Sequence, residues 1–382
     1  MGVLRVERTP SGEWVAPRGS GAWQRFDIQL TFYAVALAVI GLLMAYSNSS
    51  GPPLSPGSTF TRGLLWLAVA IAVFTVAAAF DTRWLRTFAW LIYLVNIALL
   101  MATLAVGSGV GGVSRWVSIF GLQFQFSEVA KILMIGVLAA YLAARKDNVT
   151  SLRTAIGAGL LVAPPFVLVL VQPDLGTSLV FAAILLGMLF MVGTKLRWLA
   201  LGAIIGVAAL PVAWSILADY QRRRLLSFLD PNSDPLGSGF QLIQSQMAVG
   251  SGGLLGTGLD SGSSGAAALL PVQTTDFAAA VLFQELGFVG GLIVFALFVA
   301  LIWRVLLAGW RSEDVFGVAF AAGVASMLLF QLVVNVGMVI GVMPVTGIPL
   351  PFITHGGASL ISIALGLGIL QSLNMRRERP DW

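Results

Sequence analysis

Ten apolar runs, each close to the length that crosses a bilayer, constrain this chain more than any motif does. They cover residues 28–47, 63–80, 87–107, 128–144, 155–172, 178–193, 198–218, 277–303, 315–342 and 353–373. Roughly 20 apolar residues in a helix span a hydrocarbon core of about 30 Å, and a helix satisfies its own backbone hydrogen bonds there. A membrane β-barrel would instead show alternating segments of about ten residues. The expectation is an all-α integral membrane protein with ten transmembrane helices. With 10% charged and 58% hydrophobic residues, the chain departs widely from soluble domains, where about a quarter of residues are charged. No cysteine is present, so a disulfide framework and thiolate metal sites are excluded. The formal charge of +5 is dispersed among the connections rather than gathered in a patch, which argues against a nucleic-acid partner.

Those connections orient the chain. With the N-terminus cytoplasmic, sixteen Arg and Lys residues fall on the inner side, while the short outer connections carry only Arg62 and Arg115. That agrees with the positive-inside rule. The expected organisation is a cytoplasmic tail over 1–27, one membrane domain over 28–373 and a cytoplasmic tail over 374–382. Within the domain a long extracytoplasmic loop, 219–276, separates spans 7 and 8. The first 25 residues hold no apolar core ahead of a small-residue cleavage site, so no cleavable signal peptide is expected.

This orientation gathers distant polar residues on one face. Arg115, the 125–128 segment, Asp174, the long loop, Asp276 and His355 share the outer side. Asp276 precedes seven apolar residues, so its carboxylate is partly desolvated, as suits a general base. Helix capping is the competing reading of Thr274-Thr275-Asp276. Glu285 lies nine residues on, about half a turn out of phase, which does not support a carboxylate pair. Glu128 and Lys131 are spaced to form an ion pair, whether for substrate or for mutual neutralisation. Asp174 suits a turn that caps span 6 or a binding role, and Arg115-Trp116 suits an interfacial anchor or a phosphate contact. Arg222, Arg223 and Arg224 would meet anionic lipid, pyrophosphate or solvent. His355 is the only histidine and cannot build a metal site alone. The Gly-rich loop lacks phosphate-loop spacing, which argues against a bound nucleotide.

Several segments together resemble the SEDS family of cell-wall proteins. They are Arg115-Trp116, Gln125 to Lys131, Gln172-Pro173-Asp174-Leu175-Gly176-Thr177, Asp234 to Gly239 and Ile243-Gln244-Ser245-Gln246. Gly250-Ser251-Gly252-Gly253, Thr275-Asp276-Phe277, Glu285-Leu286-Gly287 and Pro344 to Phe352 continue the likeness in order. Asp174-Leu175-Gly176 leans toward the RodA branch over the FtsW branch.

The resemblance implies a peptidoglycan glycosyltransferase that polymerises lipid II, an undecaprenyl-linked disaccharide peptide, at the outer face of the bacterial cytoplasmic membrane. The family's essential aspartate corresponds to Asp276, as general base of an inverting transfer. Substrate contacts are expected from Arg115, Trp116, Glu128, Lys131, Asp174, Arg222, Arg223, Gln244, Ser245, Thr275, Glu285 and His355. The leaving pyrophosphate needs cations, for which Arg115, Lys131, the arginine triplet or a divalent ion, Mg or Mn, are the candidates. No organic cofactor is expected, and the family acts with a class B penicillin-binding protein. The chain departs from the family's Pro-Glu-x-His-Thr-Asp-Phe pattern, reading Pro271-Val272-Gln273-Thr274-Thr275-Asp276-Phe277. A lipid II flippase and a catalytically weak scaffold stand as the alternatives.

Overall fold

The computed structural model describes residues 7–8, 14–15, 25–49, 52, 54–55, 57–107, 116–119, 122–209, 211, 214–215, 217, 219–231, 237–259, 267, 270, 276–354 and 356–376. The fold is helical, with two short antiparallel ladders, 7–8 with 14–15 and 117–119 with 122–124. Among the described residues, seven helices are long and apolar enough to cross a membrane. These are α1 (Ile28–Ser47), α2 (Thr59–Ala79), α5 (Phe126–Ala143), α6 (Leu152–Val171), α11 (Ala278–Trp310), α12 (Val315–Val339) and α13 (Gly357–Met375). Three shorter apolar helices overlap the other expected spans: α4 (Ala89–Val106), α7 (Leu175–Met191) and α8 (Leu196–Ala208), the last ending short of the expected 218. A short helix, α3 (Arg83–Thr87), precedes α4.

Helix starts follow local chemistry. The side chains of Asp27, Ser58, Ser151, Asp174 and Asp314 each accept a hydrogen bond from a backbone amide of the first turn, satisfying donors that the helix cannot. The C-terminal boundary of α11 also differs from the apolar pattern, since the helix runs to Trp310 past Arg304, where the run breaks. Arg304 donates to Asp27 Oδ2 at 2.6 Å, so its charge is met within the bundle and the helix continues through it.

Burial divides the helices into two layers. The apolar windows of α5, α12 and α13 are 67–72% buried, whereas those of α1, α2, α6 and α11 are 17–28% buried. Helix α12 packs on α5, α7 and α11, and α13 on α2 and α5. The outer helices turn large apolar side chains such as Leu65, Ile71, Leu160 and Phe295 outward, as lipid-facing surfaces require. The stretch 219–276, expected as a loop, contains α9 (Asp219–Leu229) and α10 (Ser238–Ser251).

Helix α11 is broken two residues after Glu285. Gly287 takes φ 66° and ψ −169°, a conformation open mainly to glycine. The backbone groups freed by the break are met by the loop after α10. Thr257 N–H donates to Gln284 O at 2.9 Å and Gly258 N–H to Glu285 O at 3.1 Å. In return, Phe288 and Val289 N–H donate to Gly253 O at 2.9 Å and Leu254 O at 3.0 Å.

Candidate active site

Four parts of the chain enclose a cavity of about 570 Å³. Helices α1 and α2 give an apolar wall with Gly41, Leu42 and Trp66, and at its rim Arg62. The 117–124 hairpin and the start of α5 bring Trp116, Gln123, Gln125 and Glu128. The 347–360 segment closes another side, and Asp276 enters just ahead of α11.

Asp276 is half-buried and stands one residue before Phe277, the N-cap position of α11. Its position is fixed through the backbone. Asn335, fully buried on α12, donates from Nδ2 to Asp276 O at 3.1 Å and to Ile348 O at 2.7 Å. Gly347, at φ +73°, comes so close that a Cβ there would stand 3.1 Å from Asp276 Oδ2 and 3.5 Å from Arg224 Nη1. Carboxylate and guanidinium thus crowd the same point.

Glu128 and Lys131 form the expected pair, with Lys131 Nζ donating to Glu128 Oε1 at 2.8 Å in a buried setting. Removing either partner would strand a buried charge. Glu128 also lines the cavity, and its Oε2 has no hydrogen-bond partner among the described residues. Asp174 caps α7 through Thr177 N–H at 3.0 Å and accepts from Gln125 Nε2 at 2.9 Å. It therefore reaches the cavity at one remove.

Other sequence-predicted residues lie elsewhere. Arg222 binds the backbone oxygens of Trp214 and Ser215, and Arg223 is exposed. Ser245 donates to Leu242 O and Val339 O, joining α10 to α12, and Gln244 is buried beside it. Glu285 accepts a 2.5 Å hydrogen bond from Ser47 Oγ at the end of α1 and is not in the cavity lining. Arg115, Thr275 and His355 lie outside the described residues.

Sequence reasoning missed Arg62 and Asn335 as parts of this site, and offered Arg224 only as one of the arginine triplet. Asn335 carried a signal, because a polar side chain inside an apolar span is expensive and usually has a task. Arg224 carried a weaker one: Gln221, Arg224 and Phe228 recur at helical spacing on the inward side of α9, leaving Arg223 outside.

Helices and cavity together describe a multispan membrane protein with carboxylates and an arginine lining a cavity at one end of the bundle. The comparisons narrow it. A family model described as cell cycle protein, covering FtsW, RodA and SpoVE, matches residues 28–379. The peptidoglycan glycosyltransferase MrdB of Escherichia coli K12 is 36% identical over 368 residues, covering 95% of this chain and 97% of that protein. Among solved structures, a chain of a peptidoglycan synthase complex that coordinates polymerization and crosslinking superposes with a TM-score of 0.79 at 31% identity. That match covers 94% of this chain and all of the other. The rod shape determining protein RodA of Thermus thermophilus gives a TM-score of 0.68 at 26% identity, covering 94% of this chain and 99% of its own. The chain belongs to the FtsW, RodA and SpoVE family of cell cycle proteins.

Proposed function

We propose that this protein is a peptidoglycan glycosyltransferase that polymerises lipid II, with Asp276 as general base. The observation that carries the reading is the half-buried Asp276 carboxylate in the cavity wall, in a chain alike over nearly its full length to a peptidoglycan glycosyltransferase. The ten apolar helices would all span the bacterial cytoplasmic membrane, with both termini inside and the cavity at the outer face. The sixteen basic residues on one side of that topology support this orientation.

In this reading the 4-hydroxyl of the acceptor sugar attacks the anomeric carbon of the donor, and its proton passes to Asp276. The bond from that carbon to the pyrophosphate breaks, and undecaprenyl pyrophosphate leaves with the electron pair. Attack opposite an α-linked leaving group gives a β-1,4 bond, an inversion for which one base suffices. Arg62 at the rim and Arg224 beside Asp276 would meet the leaving charge, with Arg115 a further cation. Trp116, Glu128 and Gln125 would contact the sugars. Lys131 and Asp174 act through Glu128 and Gln125. The described residues hold no group of three His, Cys, Asp or Glu able to hold a metal. A Mg or Mn ion would supply further positive charge to the leaving pyrophosphate.

The solved complex, in which polymerization is coordinated with crosslinking, supports a crosslinking partner, proposed here to be a class B penicillin-binding protein. The test is glycan synthesis from purified lipid II, with and without such a partner whose transpeptidase is blocked. Polymer from the wild type and none from Asp276→Ala is the expected result. No polymer under any condition would replace the enzyme reading with a scaffold or transport role.

A further inference from the structure

We propose that residues 243–259 form a membrane-embedded element whose apolar face lies among the acyl chains of the leaflet bordering the cavity. Three observations carry this beyond the loop expected from sequence.

The first is chemical. No Asp, Glu, Lys or Arg occurs from Pro235 to Leu259, twenty-five consecutive residues, whereas a solvated segment of that length would carry several charges. The second is the pattern of exposure. On α10, Leu242, Ser245 and Ala248 are buried against the bundle, while Ile243 and Met247, one turn apart, face outward. Leu254 and Leu255 at the tip are 71% and 81% exposed. Beside them stand Phe288 and Val289, also exposed, on a helix apolar enough to span the membrane. The outward leucines thus continue a face that lipid already covers.

The third observation concerns the backbone, which decides whether such a loop can leave water. Irregular chain is tolerated at membrane depth only where its polar groups are met by protein. Here the broken helix meets them: Thr257 and Gly258 donate into α11, and Gly253 and Leu254 accept from it. Within the loop, Gly252, Gly253 and Gly256 N–H donate to Val249, Gly250 and Gly252 carbonyls. The helix break and the loop together bury what neither could bury alone, leaving leucine side chains outermost.

The absence of native cysteine makes the test direct. Single cysteines replace Leu255, Leu292 as a lipid-facing reference and Asp219 as an aqueous one, in the full chain reconstituted in nanodiscs and labelled with a small fluorophore. Quenching is compared between nitroxides on lipid acyl chains and a water-soluble quencher. At 255 the acyl-chain nitroxide should quench several-fold more than the aqueous quencher, as at 292 and opposite to 219. Aqueous quenching at 255 equal to that at 219 would overturn the proposal. Protection from both quenchers would also overturn it, placing the tip against protein, either a second copy or a partner. Since position 255 is almost fully exposed, its labelling does not disturb packing.

Discussion

At the end of the bundle that carries the short basic connections, helices distant in sequence are joined by charge. Arg304 pairs with Asp27, Arg86 with Asp314 and Arg376 with Asp81. At the cavity end, ion pairs such as Lys131 with Glu128 and Arg222 with Asp219 lie within one helix. There, hydrogen bonds such as those of Asn335, Ser245 and Ser47 join the helices. One end uses its charges to close the structure, while the other turns Asp276, Glu128 and Arg62 toward a space a substrate can enter.

The largest expected break in this contrast is Asp276→Ala. Removing a general base costs about 10² to 10⁴ in rate, a loss that should stand when polymerisation is normalised to the folded fraction. Arg304→Met should do the reverse. The Asp27 side chain is 8% exposed, and stranding its carboxylate should cost about 2–3 kcal/mol of stability, read as a lower melting temperature with kcat per folded molecule retained. Asn335→Leu straddles both ends of the comparison. It removes the donor to two backbone carbonyls, costing about 2 kcal/mol, and loosens the turn that carries Asp276. A melting shift without loss of polymerisation would show that the turn holds itself. Arg86→Ala is the smallest, at most about 1 kcal/mol for a pair this exposed, and raised salt should shrink it further.

The seven helices long enough to span a membrane were legible because each apolar run met a charge or a turn residue at its ends. The exceptions follow one rule. Arg304 suggested a boundary where there is none, since an ion pair with a residue 277 positions away lies beyond any local pattern. Asp276, Glu128 and Trp116 were legible as members of one face, and the cavity brings these together. Arg62 and Asn335 were not, because their roles depend on which helices meet. Glycine richness in 237–265 suggested a loop, yet the glycines at 252–258 let the chain turn into the gap at Gly287, where a Cβ would stand 2.2 Å from Gly256 N.

That gap also orders assembly. The chain is made from its N-terminus, so residues 252–258 leave the ribosome before the broken helix that they complete. When Gly287 reaches the membrane, the strand that will satisfy Gln284, Glu285, Phe288 and Val289 is already made and tethered a short distance upstream. A permuted chain that presents residue 277 first would insert the break with no partner for those four groups, and slower or failed insertion of that helix is the expected reading in a translation-coupled assay.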